Sequence, residues 1–247
     1  MTPPLRRVLL VGGSSGIGRS LAVALGRRGH PVAVAARRTD LLSAVVAEAG
    51  PTATGLLGDI GDPVRCRTLV EDAAAALGGI DAVVVTAGAS PLGAVAGTPA
   101  AVWVEILATN VVGPALVVSA ALDQLRAGRD PVCALLTSHS VGRPWPGLVP
   151  YAASKAALDQ LAFGLRAEEP WLRVVRVVVG PTATSFADGW DPGTAGPYFD
   201  RWASEGYLDH RVLEPDDVAA RVLAVLDGSD PSDEVDAVGG SEPWSGD

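Results

Sequence analysis

Tyr151 and Lys155 stand four residues apart in the run Tyr151-Ala152-Ala153-Ser154-Lys155. On a helix that spacing puts both side chains on one face, one turn apart. A cation so placed lowers the tyrosine pKa and makes its hydroxyl a proton donor and acceptor near neutral pH. Scarcity adds weight to the pair. The chain has 247 residues but one lysine, one asparagine (Asn110) and three tyrosines. Chance alone would set the lysine four after a tyrosine only about 1% of the time, so i,i+4 pairing is the better account. A second chemistry-bearing run is Gly12-Gly13-Ser14-Ser15-Gly16-Ile17-Gly18, placed between an apolar run and a helix-like stretch. Glycines let the backbone approach a pyrophosphate, and the helix start offers free N–H groups and the positive end of a dipole. An ordinary glycine-rich turn is the alternative. Thirdly, Arg37-Arg38 offers two forked guanidiniums, a geometry that suits a phosphate monoester. Solvated arginines opening a helix are the bland reading of that pair.

These residues need elements to hold them, and short apolar runs alternate with longer helix-like ones. Strands are expected at Val8–Val11, Val32–Ala35, Ala53–Leu57, Ile80–Thr86, Val132–Thr137, Val174–Val179 and near Val235–Val238. Helices are expected from the glycine loop to near Gly29, then over Leu41–Ala49, Val64–Leu77, Thr98–Leu125, Tyr151–Ala167 and Pro215–Leu226. Continuous rather than alternating apolar strands, each linked by a helix, imply a parallel sheet covered on both faces. No repeat, linker or composition shift divides the chain. The expectation is an α/β fold: one Rossmann-type domain, 1–247, with a doubly wound parallel sheet of about seven strands. Ligands in such folds bind beyond the carboxyl ends of the strands. Polar and glycine residues collect there: Gly12–Gly18, Arg37-Arg38, Asp59, Ala87-Gly88, Ser138 and Gly180–Thr184.

Composition narrows the function classes. A formal charge of −9 argues against a nucleic-acid or acidic-membrane surface, because phosphates attract Lys and Arg. No continuous apolar run approaches the roughly 20 residues needed to span a bilayer, so no membrane partner is expected. The start Met1-Thr2-Pro3-Pro4-Leu5-Arg6-Arg7 leads into only a short apolar stretch, unlike a signal peptide. Two cysteines, Cys66 and Cys133, fit a reducing cytoplasm and read as buried small hydrophobes. The three histidines lack metal-ligand spacing, and no metal is expected. His30 and His210 read as surface residues, and Asp227–Asp236 as a solvated acidic stretch.

The glycine run resembles that of the classical short-chain dehydrogenase/reductase family, T-G-x-x-x-G-x-G, with Gly12, Gly16 and Gly18 in register and Val11 at the threonine place. Tyr151 and Lys155 match that family's Tyr-x-x-x-Lys. Ser138, 13 residues before Tyr151, sits at the spacing of its catalytic serine, and Asn110 at that of its tetrad asparagine. The resemblance covers essentially the whole chain. It implies catalytic roles for Asn110, Ser138, Tyr151 and Lys155: the serine bonds the substrate oxygen, the lysine tunes the tyrosine and binds ribose hydroxyls, and the asparagine maintains a proton relay. It also implies a cofactor site at Gly12, Ser14, Ser15, Gly16, Ile17, Gly18, Arg37, Arg38, Asp59, Ile60, Ala87, Gly88, Gly180, Thr182 and Thr184, completed by Asn110, Tyr151 and Lys155. Ala36 stands where an NAD enzyme carries a ribose-binding carboxylate, so the expected cofactor is NADP(H). Asp59 or Asp62 could instead cap the next helix. Val85-Thr86 and Val179 depart from the family's N-N-A-G and P-G-x-V-x-T runs.

Residues 185–213 hold six of the twelve aromatics, Phe186, Trp190, Tyr198, Phe199, Trp202 and Tyr207. In the family this is the substrate lid. With Ser138, His139, Trp145 and Trp190 around the pocket, an apolar or flat small molecule is expected; local packing or a subunit interface is the alternative. The resulting expectation is a carbonyl–alcohol oxidoreductase acting on a small molecule, as a homotetramer or homodimer. A non-catalytic NADP(H)-sensing or scaffold protein, or the same fold with dehydration or epimerisation chemistry, is the rival.

Overall fold

The computed structural model describes residues 4–208 and 212–238. Seven strands form one parallel sheet: β1 Val8–Val11, β2 Val32–Ala36, β3 Ala53–Leu57, β4 Ala82–Val85, β5 Val132–Ser138, β6 Arg173–Val179 and β7 Glu234–Ala237. Their spatial order is β3-β2-β1-β4-β5-β6-β7. Winding therefore reverses between β1 and β4, the switch point at which such sheets open a crevice. Alternate residues of each strand serve opposite faces. Val8 and Leu10 pack with Leu21 and Leu25 of α1 (Gly16–Arg27), Val45 of α2 (Thr39–Ala49) and Val222 of the last helix. Leu9 and Val11 pack with Leu69 of α3 (Pro63–Leu77), Val117 and Leu125 of α5 (Gly113–Arg126) and Leu158 of α6 (Val149–Glu168). Both faces are thus apolar, which is why these strands show no alternation in sequence.

The expected long helix is present as Ala100–Arg126 but is not uniform. Between α4 (Ala100–Leu107) and α5 lies one π-helical turn, Ala108–Val112, that contains Asn110. A π turn inserts a residue into the helix and re-aims the side chains at that point. Contrary to the expectation from uninterrupted apolar runs, this helix is long and apolar enough by length and composition to cross a bilayer, Glu105 and Asp123 notwithstanding. Here its Val117, Val118, Ala121 and Leu125 pack on the sheet. A helix not read from the sequence, α7 (Pro192–Ser204), lies inside the aromatic segment, and α8 (Pro215–Leu226) completes the sheet's cover.

His30 is not a surface residue: it is 2% exposed, its Nδ1 accepts from the Arg6 N–H at 3.0 Å, and its Nε2 stands 3.5 Å from Asp227. Asp227 in turn pairs with Arg28 and is buried, so the acidic stretch starts inside the fold and ends as the edge strand β7. His210 lies outside the described residues.

Candidate active site

The cradle forms where β1 runs into α1. Gly12 has φ +94°, and a Cβ on it would sit 2.4 Å from the Ala87 nitrogen. Two residues into α1, a Cβ on Gly18 would sit 2.3 Å from the Gly12 carbonyl oxygen. Only glycine lets the loop, the β4 end and the helix close on one another here. Ser15 occupies the N-cap position without capping α1. Its hydroxyl instead accepts from Arg38 Nη2 at 2.8 Å and from the Ser185 hydroxyl at 3.3 Å. No acidic side chain sits in the first turn, so the helix start faces the cleft with its positive dipole end uncompensated. Arg37 is drawn the other way, 3.4 Å from Asp59. The capping question is resolved between the two aspartates: Asp62 caps α3 through the Val64 N–H, whereas Asp59 borders the cleft.

At the ends of β5 and α6 the proton chemistry gathers. Ser138 Oγ is 2.9 Å from Ser140 Oγ, and the Ser138 and Tyr151 side chains border the same cleft. Lys155 is only 4% exposed, and its Nζ donates to the Leu136 carbonyl at 2.8 Å, lying 5.8 Å from the Tyr151 ring centre. The expected lowering of the Tyr151 pKa is not found. Burial pushes the phenol up to about 12, opposed by the Ser138 side chain. Burial also pushes Lys155 down to about 8, opposed by the Asp159 carboxylate. The reason is desolvation of both groups together, with the ammonium committed to a backbone carbonyl rather than to the phenol.

Asn110 is fully buried and its amide is saturated. Oδ1 accepts from the Ala89 N–H at 2.7 Å, while Nδ2 donates to the Ala89 carbonyl and to Ser154 Oγ, each at 2.9 Å. Ser154 in turn donates to the Tyr151 carbonyl at 2.7 Å. The side chain therefore ties the loop after β4 to the helix that carries Tyr151 and Lys155, and it does not itself border the cleft. Ser140 and Ser154 were not assigned roles from the sequence. A serine beside an assigned residue gives no signal until strand and helix ends meet.

The aromatic segment folds back on its own chain. Trp202, 2% exposed, has its ring centre 5.2 Å from Trp145, 5.1 Å from Phe199 and 6.0 Å from Trp190, and its Nε1 donates to the Pro146 carbonyl at 2.9 Å. Trp190 Nε1 donates to the Ser90 carbonyl at 2.6 Å. The Arg143 guanidinium lies 3.8 Å over the Tyr207 ring. Phe186 meets Tyr151 edge-on at 5.1 Å. Asp191 caps α7 through the Thr194 N–H at 2.8 Å, which starts a helix despite Gly193, Gly196 and Pro197.

Between cradle and aromatic roof runs one cleft of about 870 Å³. It is bordered by every residue read as cofactor-binding except Asn110, and by Ser138, His139, Trp145 and Trp190 of the substrate group. Thr86 donates its hydroxyl to the Val11 carbonyl at 3.0 Å, so the departure at the family's second asparagine place serves the sheet. A dinucleotide fits: the glycines let the loop and helix close tightly, and the uncapped helix start borders the cleft with its free N–H groups. Among the described residues no group of His, Cys, Asp or Glu forms a metal site.

Comparison with known proteins agrees with this geometry. A family model described as short chain dehydrogenase matches residues 6–194. The chain is 32% identical over 190 residues to a protein of Escherichia coli K12 named Uncharacterized oxidoreductase YghA, spanning 73% of this chain and 63% of that one. It is 32% identical over 188 residues to the human Dehydrogenase/reductase SDR family member 2, mitochondrial, spanning 74% and 67%. The match thus covers under two thirds of the E. coli relative's length. A short chain dehydrogenase from Burkholderia cenocepacia J2315, solved in complex with NADP, superposes with a TM-score of 0.81 at 30% identity over 94% of this chain and 96% of that one. With its motifs assembled around one cleft and its fold superposing on a solved member, the chain belongs to the short-chain dehydrogenase/reductase family of oxidoreductases, whose members bind a nicotinamide cofactor.

Proposed function

We propose that the chain is an NADP(H)-dependent oxidoreductase that interconverts a carbonyl and a secondary alcohol on an apolar or aromatic small molecule. One observation carries the reading: Ser138, Tyr151 and Lys155 border one cleft, with the Lys155 side chain buried one helical turn from Tyr151. Choice of NADP(H) is supported by Arg38 on Ser15, by Ala36 in place of a carboxylate, and by similarity to a protein solved with NADP.

When bound, the reduced nicotinamide supplies the hydride that a carbonyl carbon accepts. Gly12–Gly18 and the α1 start hold the pyrophosphate, Arg38 the extra phosphate, and Lys155 the ribose hydroxyls. Ser138 donates to the carbonyl oxygen and fixes its position. Tyr151, kept protonated by burial, gives its proton to that oxygen as negative charge gathers there. Lys155, still largely charged at neutral pH, steadies the phenolate left behind. Asn110 keeps the Ala89 loop and α6 in register. Phe186, Trp190 and Trp145 wall the substrate space with apolar surface and exclude water.

The proposal includes a reducing cytoplasm, supported by two free, buried cysteines. It also includes assembly of two or four copies along α4–α6, supported by exposed Val104, Val112 and Phe163. The test is NADPH consumption, followed by absorbance, over a panel of ketones, aldehydes and quinones. Tyr151→Phe should lower turnover by at least about a hundredfold while NADPH binding, read by fluorescence, stays nearly constant. A normal rate in that variant sinks the mechanism. Tight NADPH binding without turnover on any carbonyl favours the sensor alternative.

A further inference from the structure

Asp159 is a buried charge to which the reaction as derived gives no task. It sits on α6 one helical turn beyond Lys155 and is 4% exposed. Its Oδ2 accepts from Arg176 Nη1 on β6 at 3.0 Å, while its Oδ1 is buried with no hydrogen-bond partner. Arg176 is shared: its Nη2 reaches Glu234 on β7 at 2.5 Å. A carboxylate with an uncompensated oxygen, one turn from a buried ammonium, interacts with that ammonium far more strongly than a surface pair would.

Among the described residues, few other charges lie around Lys155. On α6 itself the titratable neighbours are Tyr151 and Asp159. β5 contributes the neutral Leu136 carbonyl, and the loop after β4 brings Gly88, where a Cβ would lie 3.5 Å from Nζ and 3.6 Å from Asn110 Oδ1. The π turn offers the neutral Asn110, and β6 offers Arg176, a cation. Asp159 is the charged group that acts on Lys155 against its burial.

We infer that Asp159 is a positioning residue for proton transfer: held by Arg176, its carboxylate keeps the Lys155 ammonium charged beside Tyr151. The role in turnover rests on the proposed oxidoreductase reading, but the coupling between the two side chains does not. Arg176 then acts as a moderator, taking up part of the carboxylate's field, with Glu234 holding it in place.

The chain's single lysine makes the test direct, because full-length protein grown with lysine labelled at Cε gives one side-chain NMR signal. Its pH titration should move down by about one unit in Asp159→Asn and return in Asp159→Glu. Arg176→Gln should move it the opposite way, upward, because a competing cation has gone. Loosened packing alone would not produce shifts of opposite sign. An unchanged midpoint in Asp159→Asn, or a downward shift in Arg176→Gln, overturns the proposal. If Asp159→Asn does not fold, the direction of the Arg176→Gln shift decides. In turnover, the alkaline limb of the pH profile should follow the lysine midpoint. Shifted NMR midpoints without turnover on any carbonyl would uphold the coupling and count against the oxidoreductase reading alone.

Discussion

Replacing Trp202 with alanine should unlatch the aromatic roof without unfolding the sheet. The ring is almost wholly buried and meets Trp145 and Phe199 edge-on, contacts of about 0.5–1.5 kcal/mol each beyond area. Its Nε1–Pro146 bond adds about 1 kcal/mol. With the lost apolar area, the change falls in the range of about 3–5 kcal/mol typical of a buried tryptophan cut to alanine. The cluster of Trp145, Leu148 and Trp202 is separate from both sheet cores, so this cost should fall on roof closure rather than on global stability. About 3 kcal/mol lowers the ratio of latched to open forms roughly a hundredfold. Trypsin reads this cleanly, because Arg201 in α7 is the only Lys or Arg between Arg176 and Arg211. Cleavage after Arg201 should accelerate by about that factor, since proteolysis tracks the open population when closing is fast. Tm should move by less than about 2 °C. A fall of about 6–12 °C, as a chain of this size shows for 3 kcal/mol lost globally, with cleavage rising only in step with unfolding, would refute the reasoning. It would make the roof part of one cooperative core.

Arg38→Ala should weaken NADPH by roughly tenfold or more and leave NADH nearly unchanged, with Arg37→Ala smaller because Asp59 shares that guanidinium. Equal losses for both cofactors in fluorescence titration would remove this account of cofactor choice. Asp81→Asn should lower the free energy of unfolding in urea at pH 7 by about 2 kcal/mol. Burial alone would raise this carboxyl, but bonds from the Arg7 side chain and from the Arg129 and Arg7 N–H groups bring it down to about 2 from 3.8. A depressed folded pKa stabilises above the unfolded value and is lost as pH falls through the folded one. The gap between wild type and variant should therefore be constant above about pH 5 and close between about pH 4 and 2. A pH-independent gap would contradict it.

Most of the sheet and its glycine loop were legible because burial on both faces leaves continuous apolar strands, and turn chemistry marks their ends. Ala53–Leu57 was read with the observed limits although it is a weak edge strand. What local pattern cannot carry was missed. The π turn around Asn110 adds a residue without disturbing apolar spacing enough to notice. Helix α7 contains Gly193, Gly196 and Pro197, so propensity argued against it, while its cap and aromatic packing form it. His30 is buried by Arg6 and Asp227, remote contacts that no local window holds. The same limit applies at the site. Spacing set Tyr151 and Lys155 on one face, but their pKa shifts follow from burial, which depends on the strands and loops that close over them.

The strand order also bears on how the chain is made. β1 lies between β2 and β4, yet β4 leaves the ribosome about fifty residues after β2, several seconds later at about 5–20 residues per second. Through that interval Val8–Val11 presents one unpaired, wholly apolar edge. Translation products that stop short of Ala82 keep that edge open for good. They are the species from which intermolecular strand pairing would start, whatever the stability of the finished protein.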